Sequence, residues 1–151
     1  YRCENTLPHH RPVTGLEGKF SMEYCLAAAL VYGQVTFDEF VDAKVNDPRI
    51  LALYDKINLY VHPDLRTPDS VSRDFTDIVI VHKDGRRFHD RSTKAKGDPA
   101  KRWTLDEFKG KFVKCAGIAL GDREAGERWD RTYALANLGP DDIASLYVPA
   151  R

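Results

Sequence analysis

The sequence predicts an α+β fold: a three- to four-stranded antiparallel sheet with a central Asp-Gly hairpin, packed against about five helices. Two observations carry this prediction. Three capping boxes of the T-x-x-E type, Thr14–Glu17, Thr36–Glu39 and Thr104–Glu107, each open a stretch with apolar residues at helical spacing. Between the second and third lies the apolar run Asp77-Ile78-Val79-Ile80-Val81, followed by Asp84-Gly85, a pair that suits a tight turn between strands.

Taken in order, Thr14 to Tyr32 reads as one helix, with Phe20, Tyr24, Ala27, Ala28 and Val31 on one face and Gly33 as its stop. Thr36 opens a short helix bearing Phe37, Phe40 and Val41. Asp47-Pro48 is a cap followed by proline at the first helical position, and Ile50, Leu53, Tyr54 and Ile57 form the stripe of a third helix. Asn58 to His62 reads as a strand closed by Pro63, and residues 63–73 as a loop. Thr76 to Lys83 and Arg86 to Arg91 form a hairpin with a two-residue turn. A lone hairpin is marginal in water, so Asn58–His62 or Tyr1–Cys3 is expected beside it. After a polar, basic loop over 92–103, Leu105, Phe108, Phe112 and Cys115 line a helix, and Glu124 to Asn137 forms another with Trp129, Tyr133 and Ala136. Asp141 to Tyr147 reads as a final helical turn or two.

The chain has 151 residues, which suits one compact domain, 1–151. It carries 23 basic and 23 acidic residues, so global charge gives no attraction for nucleic acid. No apolar run approaches the ~20 residues that cross a bilayer, and no signal peptide is visible. Cys3, Cys25 and Cys115 lack any framework spacing, which argues for reduced thiols in a cytoplasmic setting. The start at Tyr1 rather than Met reads as part of a longer protein; proteolytic processing would look the same.

The most informative segment is His9-His10-Arg11-Pro12 followed by Thr14 to Ser21. It sets cations and titratable rings beside a helix start, where free amides and the positive helix end favour an anion. That layout suits a carboxylate. Arg11 would hold it bidentately, and His9 or His10 would carry a proton as the catalytic candidates. Lys19 and Ser21 are further substrate-binding candidates, with Lys19 neutralising charge that develops when a proton leaves the adjacent carbon. The competing reading of each is a solvated loop or helix face, and Thr14 is better explained as a cap. A catalytic role for Cys25 competes with simple burial. His62, His82 and His89 show no metal-ligand spacing, and no metal or cofactor is expected. Residues 83–102 hold eight basic side chains against Asp84, Asp90 and Asp98. They would attract a polycarboxylate, or dock an acidic partner if the chain is a stand-alone interaction module. No aromatic interleaving points to nucleic acid.

Pro12-x-Thr14-Gly15-Leu16-Glu17-Gly18-Lys19-Phe20-Ser21 resembles the C-terminal domain of the MmgE/PrpD family, which includes 2-methylcitrate dehydratases and cis-aconitate decarboxylases. The likeness continues through Asp47-Pro48, Asp84-Gly85, Lys96-Gly97-Asp98-Pro99 and Asp106-Glu107-Phe108-x-x-Lys111-Phe112. It departs at Ala100-Lys101-Arg102-Trp103, where the family commonly has a short Asn-Pro stretch. The resemblance implies a lid-like domain of a larger two-domain lyase, partnered by an N-terminal helical domain of the same polypeptide that holds most catalytic residues. It implies cofactor-independent acid–base chemistry on a small di- or tricarboxylate, a homodimer, and inactivity of this segment alone. Dehydration of 2-methylcitrate, in propionate metabolism, is the first expectation. Decarboxylation of cis-aconitate or epimerisation of an amino-dicarboxylate would use the same proton chemistry.

Overall fold

The computed structural model describes residues 6–65, 75–135, 139–141 and 143. The chain divides into two compact units, Tyr1–Asp74 and Phe75–Arg151. Among the described residues there are six α-helices and one antiparallel pair of strands, an α+β composition.

The first unit is helical. The predicted Thr14–Tyr32 helix is two helices, α1 (Gly15–Gly18) and α2 (Met22–Tyr32). The break has a local cause. Amides of Lys19, Phe20 and Ser21 reach back only three residues, to Leu16, Glu17 and Gly18, which tightens and ends the first helix. Ser21 then takes an extended backbone, and its hydroxyl accepts the Tyr24 amide as a new cap. The Thr14 box forms as expected: Thr14 Oγ1 accepts the Glu17 amide, and Glu17 Oε2 accepts the amides of Val13 and Thr14. The glycines of this segment answer to close approach. A methyl on Gly15 would strike the Phe40–Val41 backbone, and one on Gly18 would sit 3.0 Å from the Tyr24 ring and 3.2 Å from Val45.

The helix expected after Thr36 is only a 3-10 turn over Phe37–Glu39, followed by α3 (Asp42–Val45) and α4 (Pro48–Tyr54). The Asp47-Pro48 signal holds: Asp47 accepts the Arg49 amide at 2.8 Å. Tyr24, Ala27, Ala28, Val45, Ile50 and Tyr54 form the core, and Phe40, Val31, Leu53 and Ile57 pack around it. The Tyr24 hydroxyl donates to the Glu39 carbonyl, and burial pushes its pKa to about 12. Asn58–His62 is not a strand. Its burial alternates as a half-buried strand would, but no second backbone pairs with it among the described residues. The other expected neighbour of the hairpin, Tyr1–Cys3, lies outside the described residues.

In the second unit β1 (Thr76–Val81) and β2 (Arg87–Ser92) pair antiparallel, with Val81 opposite Arg87 and Thr76 opposite Ser92. The sheet therefore has two strands where three or four were expected. The turn is also one residue longer than predicted. His82 and Arg86 close the ladder, leaving Lys83-Asp84-Gly85 as the loop, with Gly85 at φ +86° in the left-handed position of a three-residue hairpin. The helices α5 (Leu105–Leu120) and α6 (Asp122–Tyr133) pack together around Trp129, whose ring centroid lies 5.4 Å from both Phe108 and Phe112. The expected helix over Glu124–Asn137 thus starts two residues earlier and its regular part ends at Tyr133. The last predicted turn, Asp141–Tyr147, falls largely outside the described residues.

Candidate functional site

The segment His9–Arg11 is laid across the helical unit by three contacts. The His9 amide donates to the Phe20 carbonyl at 3.2 Å, which holds this segment against the Lys19–Ser21 turn. His10 Nδ1 is 2.7 Å from Glu23 Oε1 in the first turn of α2. Arg11 pairs with Asp55, the residue that ends α4, and its guanidinium lies 5.7 Å over the Tyr54 ring. The Arg11–Asp55 pair is open to water at both ends, and such a pair contributes about 0–1 kcal/mol. It therefore exchanges readily for a stronger acceptor.

Lys19 is exposed, and its ammonium meets no carboxylate among the described residues. Ser21 is fully buried, with its hydroxyl occupied by the Tyr24 amide. The chain thus brings His9 to the turn that carries Lys19, and ties His10 and Arg11 to α2 and the end of α4.

Two buried polar groups in this region were not singled out from the sequence. Glu23 is the lone charged residue of α2, and its side chain is 8% exposed. Its Oε2 and the Tyr54 hydroxyl are both buried with no hydrogen-bond partner among the described residues. Burial raises the Tyr54 pKa, opposed by Arg11 and reinforced by Glu23, so the three groups share one electrostatic neighbourhood. A single acid in the otherwise uncharged helix Met22–Tyr32 was the available signal. Cys25, on the same helix, is a half-buried free thiol whose pKa burial pushes up, as for a packed rather than a reactive cysteine.

Three of the eight basic side chains in residues 83–102, Arg86, Arg91 and Lys96, are paired with carboxylates of the second unit. Arg91 grips Asp77 through two bonds of 2.7 and 2.6 Å and stacks 4.1 Å over Phe75. His89 joins the same carboxylate at 3.1 Å, and Asp77 is held well below the usual carboxylate range, first by Arg91. Arg86 pairs with Asp84, and Lys96 with Glu107, whose pKa it lowers to about 2. The departing loop is closed locally. The Gly97 amide donates to the Lys101 carbonyl, Asp98 accepts the Ala100 amide, and Trp103 lies so close over Gly97 that no side chain fits there. Among the described residues no group of three or more His, Cys, Asp or Glu side chains could hold a metal ion, and no helix is long and apolar enough to cross a membrane.

The sequence model of the MmgE/PrpD C-terminal domain matches residues 3–135, and the chain belongs to that family. It is 30% identical over 127 residues to the human cis-aconitate decarboxylase, covering 84% of this chain and 24% of that protein. The mouse cis-aconitate decarboxylase is 31% identical over 96 residues, covering 64% of this chain and 19% of that protein. The cis-aconitate decarboxylase-like protein oryM of Aspergillus oryzae is 32% identical over 135 residues, covering 89% and 27%. The chain therefore spans about a quarter of the length of these curated relatives.

Proposed function

We propose that this chain is the lid-like C-terminal part of a lyase that moves protons on a small polycarboxylate, with cis-aconitate decarboxylation as the favoured reaction. The observation that carries the reading is Lys19: an exposed cation with no carboxylate partner among the described residues, on the segment that carries the resemblance, beside His9, His10 and Arg11. Loss of carbon dioxide from an unsaturated acid leaves charge on carbon, which a proton must quench. Cations hold the remaining carboxylates, and a titratable ring delivers or removes the proton. Arg11 and Lys19 fit the first role, Arg11 by leaving Asp55 for substrate. His9 and His10 fit the second. The names of the relatives favour cis-aconitate; dehydration of 2-methylcitrate needs the same groups and is the comparison reaction.

The working partner is an N-terminal helical domain of the same polypeptide. Two facts support it: the chain matches only a quarter of its relatives' length, and Val13, Leu16 and Phe20 stand exposed around the candidate residues. The compartment is a reducing cytoplasm, in keeping with the free thiols of Cys25 and Cys115.

The test offers cis-aconitate and 2-methylcitrate separately to this chain and to the full-length polypeptide that carries it. We expect turnover of cis-aconitate by the full-length protein alone, falling about tenfold or more in Lys19→Ala and Arg11→Ala, which sit at exposed positions and should fold normally. Turnover by the 151-residue chain alone, or full activity in both variants, would overturn the proposal.

A further inference from the structure

We infer that Glu23 is a positioning residue that fixes the proton of His10 on Nδ1 and aims Nε2 outward as the proton-transfer atom. The inference rests on the proposed role of His10 as an acid–base candidate and adds a residue that the reading above does not include.

The argument begins with a cost. A carboxylate withdrawn from water is expensive unless its acceptors are filled. Glu23 lies almost wholly under the surface, yet Oε2 has no hydrogen-bond partner among the described residues, and Oε1 meets only His10. Packing alone would be served as well by an apolar residue in this otherwise uncharged helix. The first turn of α2 gives a partial offset, because the positive helix end attracts negative charge.

An ionised carboxylate only accepts hydrogen bonds. Against such a carboxylate at 2.7 Å, the neutral ring makes a hydrogen bond only with its proton on Nδ1. Nε2 is left with its lone pair, on a side chain that is 70% exposed. An unconstrained histidine prefers the opposite tautomer, with the proton on Nε2, so the arrangement is imposed by Glu23. The consequence for chemistry is direct. Nε2 accepts a proton from a carbon acid or a water, and the imidazolium that forms is stabilised by the carboxylate behind it. The same proton can be returned to carbon, so no atom or charge is left unbalanced. This is the orienting logic of a carboxylate behind a catalytic imidazole, here assembled from a helix and the segment before it.

A purely structural tie between the segment and α2 would need only a hydrogen bond, and a glutamine supplies one. The experiment separates the two. In the 151-residue chain, nitrogen NMR of the imidazoles at a pH where the rings are neutral should show His10 protonated on Nδ1. The signal should shift toward the ordinary Nε2–H form in Glu23→Gln. In the full-length protein Glu23→Gln should lower turnover about tenfold or more while KM stays within about twofold. A wild-type His10 protonated on Nε2 overturns the inference even if the variant does not fold. So does a Glu23→Gln protein whose tautomer is unchanged. If His10 is protonated on Nδ1 but His10→Ala retains full turnover, the catalytic reading of His10 falls while its anchoring by Glu23 stands.

Discussion

Replacing Glu39 by glutamine tests the electrostatic account of the first unit. Glu39 is fully buried, and four donors converge on its two oxygens. Lys44 Nζ at 2.9 Å and Gln34 Nε2 at 3.0 Å donate to Oε1; the amide and hydroxyl of Thr36, each at 2.8 Å, donate to Oε2. Burial by itself raises the pKa of this carboxyl, and the donors, led by Lys44, reverse that and hold it at about 2. A glutamine keeps one acceptor oxygen and turns an amide group toward donors that already need an acceptor. The shift from 4.5 to about 2 sets a ceiling of about 3 kcal/mol on the ionised form's contribution. The Lys44 side chain is 34% exposed, so water screens part of this, and about 2 kcal/mol is the expected loss at pH 7.

The pH dependence follows from the sign of that shift. A carboxyl whose folded pKa is depressed contributes its full stability above the unfolded value, near 4.5, and loses it as pH falls toward about 2. Urea denaturation of both proteins at pH 7, 4.5, 3.5 and 2.5 is the assay. The gap between wild type and Glu39→Gln should be widest at pH 7 and should narrow steadily below 4.5. A gap that stays constant down to pH 2.5 would mean the loss is one of packing and not of charge.

Gly15→Ala should lose about 1–2 kcal/mol by urea denaturation. Crowding against the Phe40–Val41 backbone costs about 1–3 kcal/mol and strains the Gly15 amide's 2.7 Å bond to Asp42, while helix propensity returns about 1 kcal/mol. A stabilised Gly15→Ala protein would refute the close approach. Gly126→Ala, inside α6 with open space where the methyl would go, should gain about 1 kcal/mol by the same measurement. A loss there would show that the space is filled.

Features written in short-range chemistry were legible in the sequence. The Thr14, Thr36 and Thr104 boxes, the Asp47-Pro48 start and the existence of a hairpin about Asp84-Gly85 each depend on residues a few positions apart, although the hairpin's turn is one residue longer than predicted. What failed depended on partners the local pattern does not specify. Leu59 and Val61 alternate with Asn58 and Tyr60 like a strand, but alternation says nothing of a backbone to pair with. The Lys19–Ser21 break was hidden because Ser21 caps a helix inside what reads as one apolar period. The candidate site was half legible. His10 and Arg11 could be nominated by type, but Glu23, Tyr54 and Asp55 are 13, 43 and 44 positions from the residues they meet, at the ends of other helices.

The structure divides the Thr14–Ser21 segment into residues the architecture uses and one it does not. Thr14 and Glu17 are consumed by the cap, Gly15 and Gly18 by close approach to Phe40 and Tyr24, and Ser21 by the start of α2. One side chain in that run has a polar end that meets no partner among the described residues, the ammonium of Lys19, at the turn between two helices that the other five residues hold in place. A position with no structural task, carrying a charge that the helix start does not favour, is where a ligand contact is least expensive to the fold. By the same reasoning, substitution at Lys19 should leave the urea midpoint within experimental scatter and change only what the protein does to its substrate. A substantial loss of stability in Lys19→Ala would show that the residue belongs to the architecture after all.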